Sequence, residues 1–494
     1  MKLETIMQSI AYTAADGLEA LEIENITCDS RQVMPGMVFV CIKGGKMDGH
    51  DHAAQAVERG AVAVVAQRDV GLPCQLLVEN TREAYAVMCA NFYGNPARNL
   101  KLIGVTGTNG KTTITNLLKY ILQRSGHKTG LIGTIQNEIG DMILPAKHTT
   151  PDPAQLHALF ARMVQAGCEY VVMEVSSHAL DQCRVSGCQF EAAVFTNLTQ
   201  DHLDYHGTME NYFNAKKKLF HMCKVGIVNY DDPYGQRIIA EAPCPIHTFS
   251  IVSDNAEYTA KNISIRADGS NFAFLGTGII ARVRFPMPGM FSVSNAMAAA
   301  VCALSVGISL DQTVTALNDC PGVCGRTQVL PTNTPYTVIC DYAHTPDGIE
   351  KILAALREFV TGKIMILFGC AGNRDSSKRP LMTSAAAKGA DFVVLTSDNP
   401  RSEDPMKIIM DALPGFQGYQ TPWVVIPNRY QAIRWALENA QPGDVLLLAG
   451  KGHEDYQVLD YGTVSFDERL VVQELLTRIA QEGKQVVLPP QPSL

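Results

Sequence analysis

The chain of 494 residues carries a formal net charge of −8, with 46% hydrophobic and 18% charged residues. That length suggests about three domains, and the composition is that of an ordinary globular protein, which excludes a disordered, collagenous or coiled-coil chain. A sequence pI near 5.9 offers no basic footprint for nucleic acid, so any nucleotide bound is expected to be a small one.

The longest mostly apolar stretch, Ala296–Ile308, contains Ser305 and Gly307 and is too short to span a bilayer. The start, Met1 to Thr5, has no secretory pattern. Fourteen scattered cysteines without a C-x-x-C read as reduced thiols. The expectation is a cytoplasmic protein without membrane insertion.

Turn-formers at Tyr93–Arg98 and Leu330–Pro335 mark two joints, giving domains 1–98, 99–330 and 331–494. In the first, Met37–Ile42 and Ala61–Ala66 read as buried strands. The second opens with strand Lys101–Val105. A helix follows in which Ile114, Leu117, Leu118, Ile121 and Leu122 share one face, and Gly126 ends it. Apolar runs recur at Tyr170–Val175, Ala192–Phe195 and Val225–Val228. In the third domain, strands are expected at Tyr336–Cys340, Lys363–Phe368, Asp391–Thr396 and Asp444–Ala449, with helical patterns between them. Apolar strands alternating with helices mean an α/β fold with mostly parallel sheets. Chemistry is then sought beyond the carboxyl ends of the strands.

The first such end carries Thr106-Gly107-Thr108-Asn109-Gly110-Lys111-Thr112-Thr113. Strand, glycine loop, Lys-Thr and helix form the context of a phosphate loop, here a short G-x-x-G-K-T variant. Backbone N–H groups and the helix N-terminus would meet phosphate oxygens, Lys111 the β/γ-phosphates, and Thr112 a Mg²⁺ ion. No N-K-x-D or T-K-x-D occurs, which favours ATP over GTP. Glu174 ends an apolar strand and suits a Mg²⁺ ligand as well as a local turn. Asp201-His202-Leu203-Asp204-Tyr205-His206 suits a metal ligand as well as helix capping. The run Lys216-Lys217-Lys218 reads, on spacing alone, as a solvated helix face.

These segments together resemble the Mur ligase family, the ATP-dependent amide-forming enzymes of peptidoglycan synthesis. The resemblance rests on GVTGTNGKTT (104–113), EVSSHAL (174–180), TNLTQDHLDYHG (196–207), Tyr212-x-x-Ala215-Lys216, CGRT (324–327), DYAHTPD (341–347), GNRDSSKRPLM (372–382), DNPR (398–401) and AGKGHEDYQ (449–457), with CDSRQVMPGMVFVCIKG (28–44) in the first domain. It implies a substrate-binding first domain, a central P-loop parallel-sheet ATPase domain and a C-terminal Rossmann-like domain for the incoming amino acid. DNPR resembles the branch that adds meso-diaminopimelate to UDP-N-acetylmuramoyl-L-alanyl-D-glutamate. Lysine-adding relatives differ at the position of Arg401.

The resemblance further implies roles by position. Gly107, Thr108, Asn109, Gly110, Lys111, Thr112, Thr113, Asn295, Arg326 and Asp341 surround ATP. Ser30, Thr149, Thr150, Ser176, Gln182 and Arg184 hold the UDP-linked substrate. Arg374, Asp398, Asn399, Pro400, Arg401, Gly450 and Glu454 hold diaminopimelate. Thr112, Glu174, His202 and Lys216 face Mg²⁺, with Lys216 carried as its carbamate, N6-carboxylysine. Lys111, Lys216 and His202 are the expected catalytic set, and His344 is a second candidate proton acceptor. A monomer that binds no nucleic acid is implied, with domain closure about joints near residues 98 and 330. The readings to be separated from it are a lysine-adding ligase, a folylpolyglutamate synthase, and a P-loop ATP-binding regulator that makes no bond.

Overall fold

The computed structural model describes residues 1–482 apart from 16, 46 and 267. Its contacts divide the chain into two compact units, one of residues 1–259 and 297–316, the other of residues 260–296 and 317–494.

The first unit contains two sheets. The amino-terminal one has five short strands, with Asn25–Thr27, Met37–Val40, Ala63–Ala66 and Gln75–Leu77 mutually parallel and Thr13–Ala14 antiparallel at one edge. The larger sheet is built on β1 (Lys101–Thr106), β2 (Thr129–Ile132), β3 (Tyr170–Glu174), β4 (Phe190–Phe195), β5 (Cys223–Asn229) and β6 (Ile246–Ser250). These run parallel in the order β6-β5-β4-β1-β3-β2. Gln136–Ile139 and Met142–Pro145 extend the β2 edge antiparallel.

Burial explains the pattern. Between Leu102 and Thr106 every residue of β1 is buried, as are all five of β3. Strands covered on both faces are apolar throughout rather than alternating. Helix α1 (Lys111–Arg124) packs Ile114, Leu117, Leu118, Ile121 and Leu122 inward, the stripe its sequence spacing dictates. Gly126, at φ +90°, follows its end.

The second unit repeats the design. Strands β7 (Thr337–Asp341), β8 (Ile364–Cys370), β9 (Phe392–Ser397), β10 (Trp423–Val425) and β11 (Val445–Ala449) lie parallel in the order β7-β11-β8-β9-β10. The α/β class expected from the sequence is the class observed. Expected and observed strands differ by at most two residues at either end. The expectation missed the antiparallel pairs, including Gly269–Gly276 with Ile279–Phe285. The apolar run from Ala296 belongs to the buried helix Met290–Ser305. All fourteen cysteines are free thiols. Among the described residues no helix is long and apolar enough to cross a membrane.

One core residue carries a pH consequence. His157 is fully buried on the helix Pro153–Gln165, and among the described residues neither ring nitrogen has a hydrogen-bond partner. Burial pushes its pKa down to about 4. The unfolded chain therefore binds this proton first as pH falls, and stability present above pH ~6.5 is lost progressively towards pH ~4. At pH 5 the loss is about 2 kcal/mol. We expect His157→Leu to lose correspondingly less between pH 7 and pH 5 in urea unfolding. Identical losses in the two proteins would contradict this assignment.

Candidate functional site

The phosphate loop sits at the carboxyl end of β1 and opens α1. Gly107 adopts φ +146°, and a Cβ there would lie 1.8 Å from Thr196 Oγ1, so only glycine fits. Gly110, at φ +89°, is the left-handed residue that turns the chain into α1. The loop is braced by the segment after β4. Asn197 Oδ1 accepts from the Asn109 amide at 3.0 Å, Thr196 Oγ1 donates to the Asn109 carbonyl at 2.6 Å, and the Thr199 amide donates to Thr108 Oγ1 at 3.0 Å. Thr112 and Thr113 are buried in the first turn of α1.

Two lysines meet on this loop. Lys111 Nζ donates to the carbonyls of Gly107 and Thr108, both at 2.9 Å. Lys216 Nζ donates to the same Gly107 carbonyl at 2.8 Å and lies 4.6 Å from the centre of the Tyr212 ring. Lys216 is 1% exposed. Burial first, then the neighbouring charge of Lys111, push its pKa well below the usual lysine range. It is therefore held towards the neutral amine. The reading of 216–218 as one solvated face is thereby corrected. Lys217 and Lys218 do lie outside, paired with Glu241 and Asp181. Lys216 follows Tyr212 by four residues on helix α2 (Met209–Lys217) and shares its buried side.

Glu174, at the end of β3, is 1% exposed. Its carboxylate accepts from the Thr134 amide at 2.8 Å and the Thr134 hydroxyl at 3.0 Å. Among the described residues it has no cationic partner. His202 is an exposed left-handed residue. Its amide donates to Asp201 Oδ1 at 2.9 Å, and its ring lies 4.8 Å from that of His178. Among the described residues no three His, Cys, Asp or Glu side chains converge as a metal cluster. Neither Asp201 nor Asp204 is the N-cap of the helix Leu203–His206; that residue is His202.

The residues matched to the UDP-linked substrate form one bonded chain apart from Ser30. Thr149 and Thr134 share a hydroxyl contact at 3.0 Å. Thr150 Oγ1 donates to the Glu174 carbonyl at 2.8 Å and accepts from the Ser176 amide at 3.1 Å. Arg184 donates to the Thr150 carbonyl and to Gln182 Oε1, both at 2.8 Å. Ser30 stands on a short turn in the amino-terminal sheet region. A cavity of ≈ 750 Å³ is lined by its neighbours Asp29 and Arg31 and, from the segment after Thr150, by Asp152 and Gln155.

The residues matched to the incoming amino acid gather in the second unit, beyond β9 and β11. Asp398 Oδ1 accepts from the Asn399 amide at 2.6 Å, and Asn399 Nδ2 donates to Glu454 Oε2 at 2.9 Å. Arg401, at φ +55°, donates its amide to the Val458 carbonyl at 3.0 Å and Nη1 to the Gly372 carbonyl at 2.7 Å. The Pro400 carbonyl accepts from the Glu403 amide, and Asp404, not Arg401, caps the helix Pro405–Ala412. The Gly450 amide donates to the Asp341 carbonyl at 3.1 Å. Arg374 is exposed on the loop after β8, outside this bonded network. The strand ends are tied from beneath by fully buried Arg429, which donates to the Ser397 and Ala449 carbonyls at 3.2 and 2.9 Å and to Glu468 at 2.7 Å. Asn295 and Arg326 also belong to this unit. Arg326 lies 5.1 Å from the Tyr342 ring centre. Burial raises the Asp341 carboxyl, with Arg326 opposing.

Sequence reasoning missed Thr134, the ring cluster of His178 with Tyr205 and His206, Lys451 and Arg429. His178 and Lys451 lie inside the quoted segments 174–180 and 449–457, which was the available signal. Thr134 and Arg429 stand in stretches that carry none.

Three family models match in chain order: the Mur ligase family catalytic domain over residues 22–93, the Mur ligase middle domain over residues 105–303, and the Mur ligase glutamate ligase domain over residues 325–452. A UDP-N-acetylmuramoyl-L-alanyl-D-glutamate–2,6-diaminopimelate ligase of Clostridium acetobutylicum is 44% identical over 97% of this chain and 100% of its own. One of Caldanaerobacter subterraneus subsp. tengcongensis is 45% identical over 96% and 99%. A solved structure of such a ligase superposes with a TM-score of 0.73 at 33% identity, covering 98% of this chain and 99% of the other. With matches spanning nearly its whole length, this chain belongs to the Mur ligase family.

Proposed function

We propose that the chain is an ATP-dependent ligase joining meso-diaminopimelate to UDP-N-acetylmuramoyl-L-alanyl-D-glutamate, a step of peptidoglycan synthesis. Domains of residues 1–98, 99–330 and 331–494 would bind the UDP-linked substrate, ATP and the amino acid. The observation that carries the reading is the meeting of Lys111 and buried Lys216 on the Gly107 carbonyl. An ATP-binding regulator has use for the first lysine and none for the second.

The chemistry follows from charge. A carboxylate repels nucleophiles and has no adequate leaving group. Attack of its oxygen on the γ-phosphorus, with cleavage of the bond to ADP, turns it into an acyl phosphate. The amine then attacks the acyl carbon, inorganic phosphate leaves, and the amine's proton is lost. Lys111 offsets phosphoryl charge in the first step, and the loop amides hold the phosphate oxygens in line. Lys216 adds, as the neutral amine, to CO₂, releasing one proton and leaving an anionic carbamate. Glu174 fits a cation because its buried carboxylate meets only neutral donors. Mg²⁺ would be held by Thr112, Glu174, His202 and the Lys216 carbamate, and when bound it stabilises charge on the transferring phosphoryl group.

In the second unit, Arg401 offers a planar fork for the distal carboxylate of diaminopimelate, and Glu454 accepts from its distal ammonium. The reading is tested by phosphate release with each substrate omitted in turn. Release that needs both the UDP-linked dipeptide and diaminopimelate is expected. Release without either would make the chain a nucleotidase or regulator, and equal use of lysine would make it the lysine-adding type.

A further inference from the structure

Lys451 is fully buried beside the residues matched to the amino acid. Its ammonium donates to Glu454 Oε2 at 3.0 Å and to Asn399 Oδ1 at 3.3 Å. Asn399 closes the triangle by donating to Glu454 Oε2 at 2.9 Å, and the Val458 amide donates to Asn399 Oδ1 at 2.9 Å. Oε2 of Glu454 is thus doubly engaged, and among the described residues Oε1 has no partner, leaving it to accept from a ligand.

The charges around this network come in pairs. Tyr456 registers them together. Its ring centre lies 5.6 Å from Lys451 Nζ. Its phenol is pushed up by burial and by Glu454, Asp455 and Asp398, and pulled down by Arg401. Asp455 is exposed, and solvent screens it. The inner charges are two cations, Arg401 and Lys451, and two anions, Asp398 and Glu454. A site with no net charge suits a group that is itself neutral overall, one ammonium with one carboxylate. Without Lys451 the inner charges would sum to −1, the balance that suits a bare ammonium.

We propose that Lys451 is a specificity-determining residue, which holds Glu454 in place and balances the site's charge so that it takes a zwitterionic amino-acid end and rejects a lone ammonium. The proposal rests on the diaminopimelate reading and extends it to a residue that acts through Glu454 rather than through the reacting atoms.

The test compares diaminopimelate with lysine as co-substrate of the full chain. Lys451→Met is expected to reduce the kcat/KM ratio of diaminopimelate to lysine by about tenfold or more. The change should come through KM for the amino acid, with KM for ATP unmoved. Lys451→Gln keeps an amide donor near Glu454 without the charge, and covers failure of the Met variant to fold. It should move the ratio the same way, whereas Lys451→Arg should restore it to within about threefold. A ratio unchanged in folded Lys451→Gln overturns the proposal while leaving diaminopimelate as the substrate. Wild-type protein that ignores diaminopimelate overturns the reading beneath it.

Discussion

Replacing Lys216 with Ala is expected to lower turnover by about a thousandfold while leaving nucleotide binding nearly intact. Lys111 and the loop amides still hold the phosphates, so the loss falls on kcat. The cause lies in the geometry at Gly107. Burial of Lys216 first, and then the Lys111 ammonium on the same carbonyl oxygen, disfavour its charged form. A neutral amine can take up CO₂; an ammonium ion cannot. The proposed carbamate would then supply the negative charge that the buried lysine itself could not. Removing the side chain leaves a space beside Tyr212, and a short-chain carboxylate added to the assay should restore part of the rate. Activity should also fall in CO₂-depleted buffer. Full activity in Lys216→Ala, or no response of the variant to any small carboxylate, would reject the carbamate.

Arg401→Ala should cost about 100- to 1,000-fold in kcat/KM for diaminopimelate, with ATP binding unchanged. Arg401 already occupies the left-handed region at φ +55°, so Ala adds little new backbone strain relative to the arginine it replaces. Its amide bond to the Val458 carbonyl does not depend on the side chain. The substitution therefore removes the guanidinium and little else. A distal carboxylate would lose its fork, whereas lysine, having none, loses nothing. The preference for diaminopimelate over lysine should narrow accordingly, as measured by parallel rates with the two amino acids. An unchanged preference would place the selectivity elsewhere in the amino-acid site.

Much of this architecture was legible because the signal was local. The phosphate loop is a continuous segment whose strand, glycines and helix are each readable in sequence. β1, β3, β8 and β11 are apolar runs because both faces are covered. The antiparallel pieces were less visible. Tyr258–Arg266 alternates in burial along its second half, so it contains no apolar run, and a search for such runs passes over it. Lys216 was hidden for a different reason. A run of three lysines looks uniform in sequence, but helical periodicity turns one inward beneath Tyr212 while its neighbours find surface carboxylates. Arg429 and Glu468 were invisible because their roles exist only once strand ends distant in sequence are brought side by side. The division into compact units was not local either: residues 297–316 join the first unit from far along the chain.

In the proposed reaction the substrate carboxylate is phosphorylated before any amide forms. With ¹⁸O placed in the distal carboxylate of the D-glutamyl residue, the inorganic phosphate released with ATP and diaminopimelate reports on that step. An acyl phosphate transfers one labelled oxygen to each phosphate, with ADP as the other product and one amide per phosphate. Phosphate free of label, or AMP in place of ADP, would contradict it.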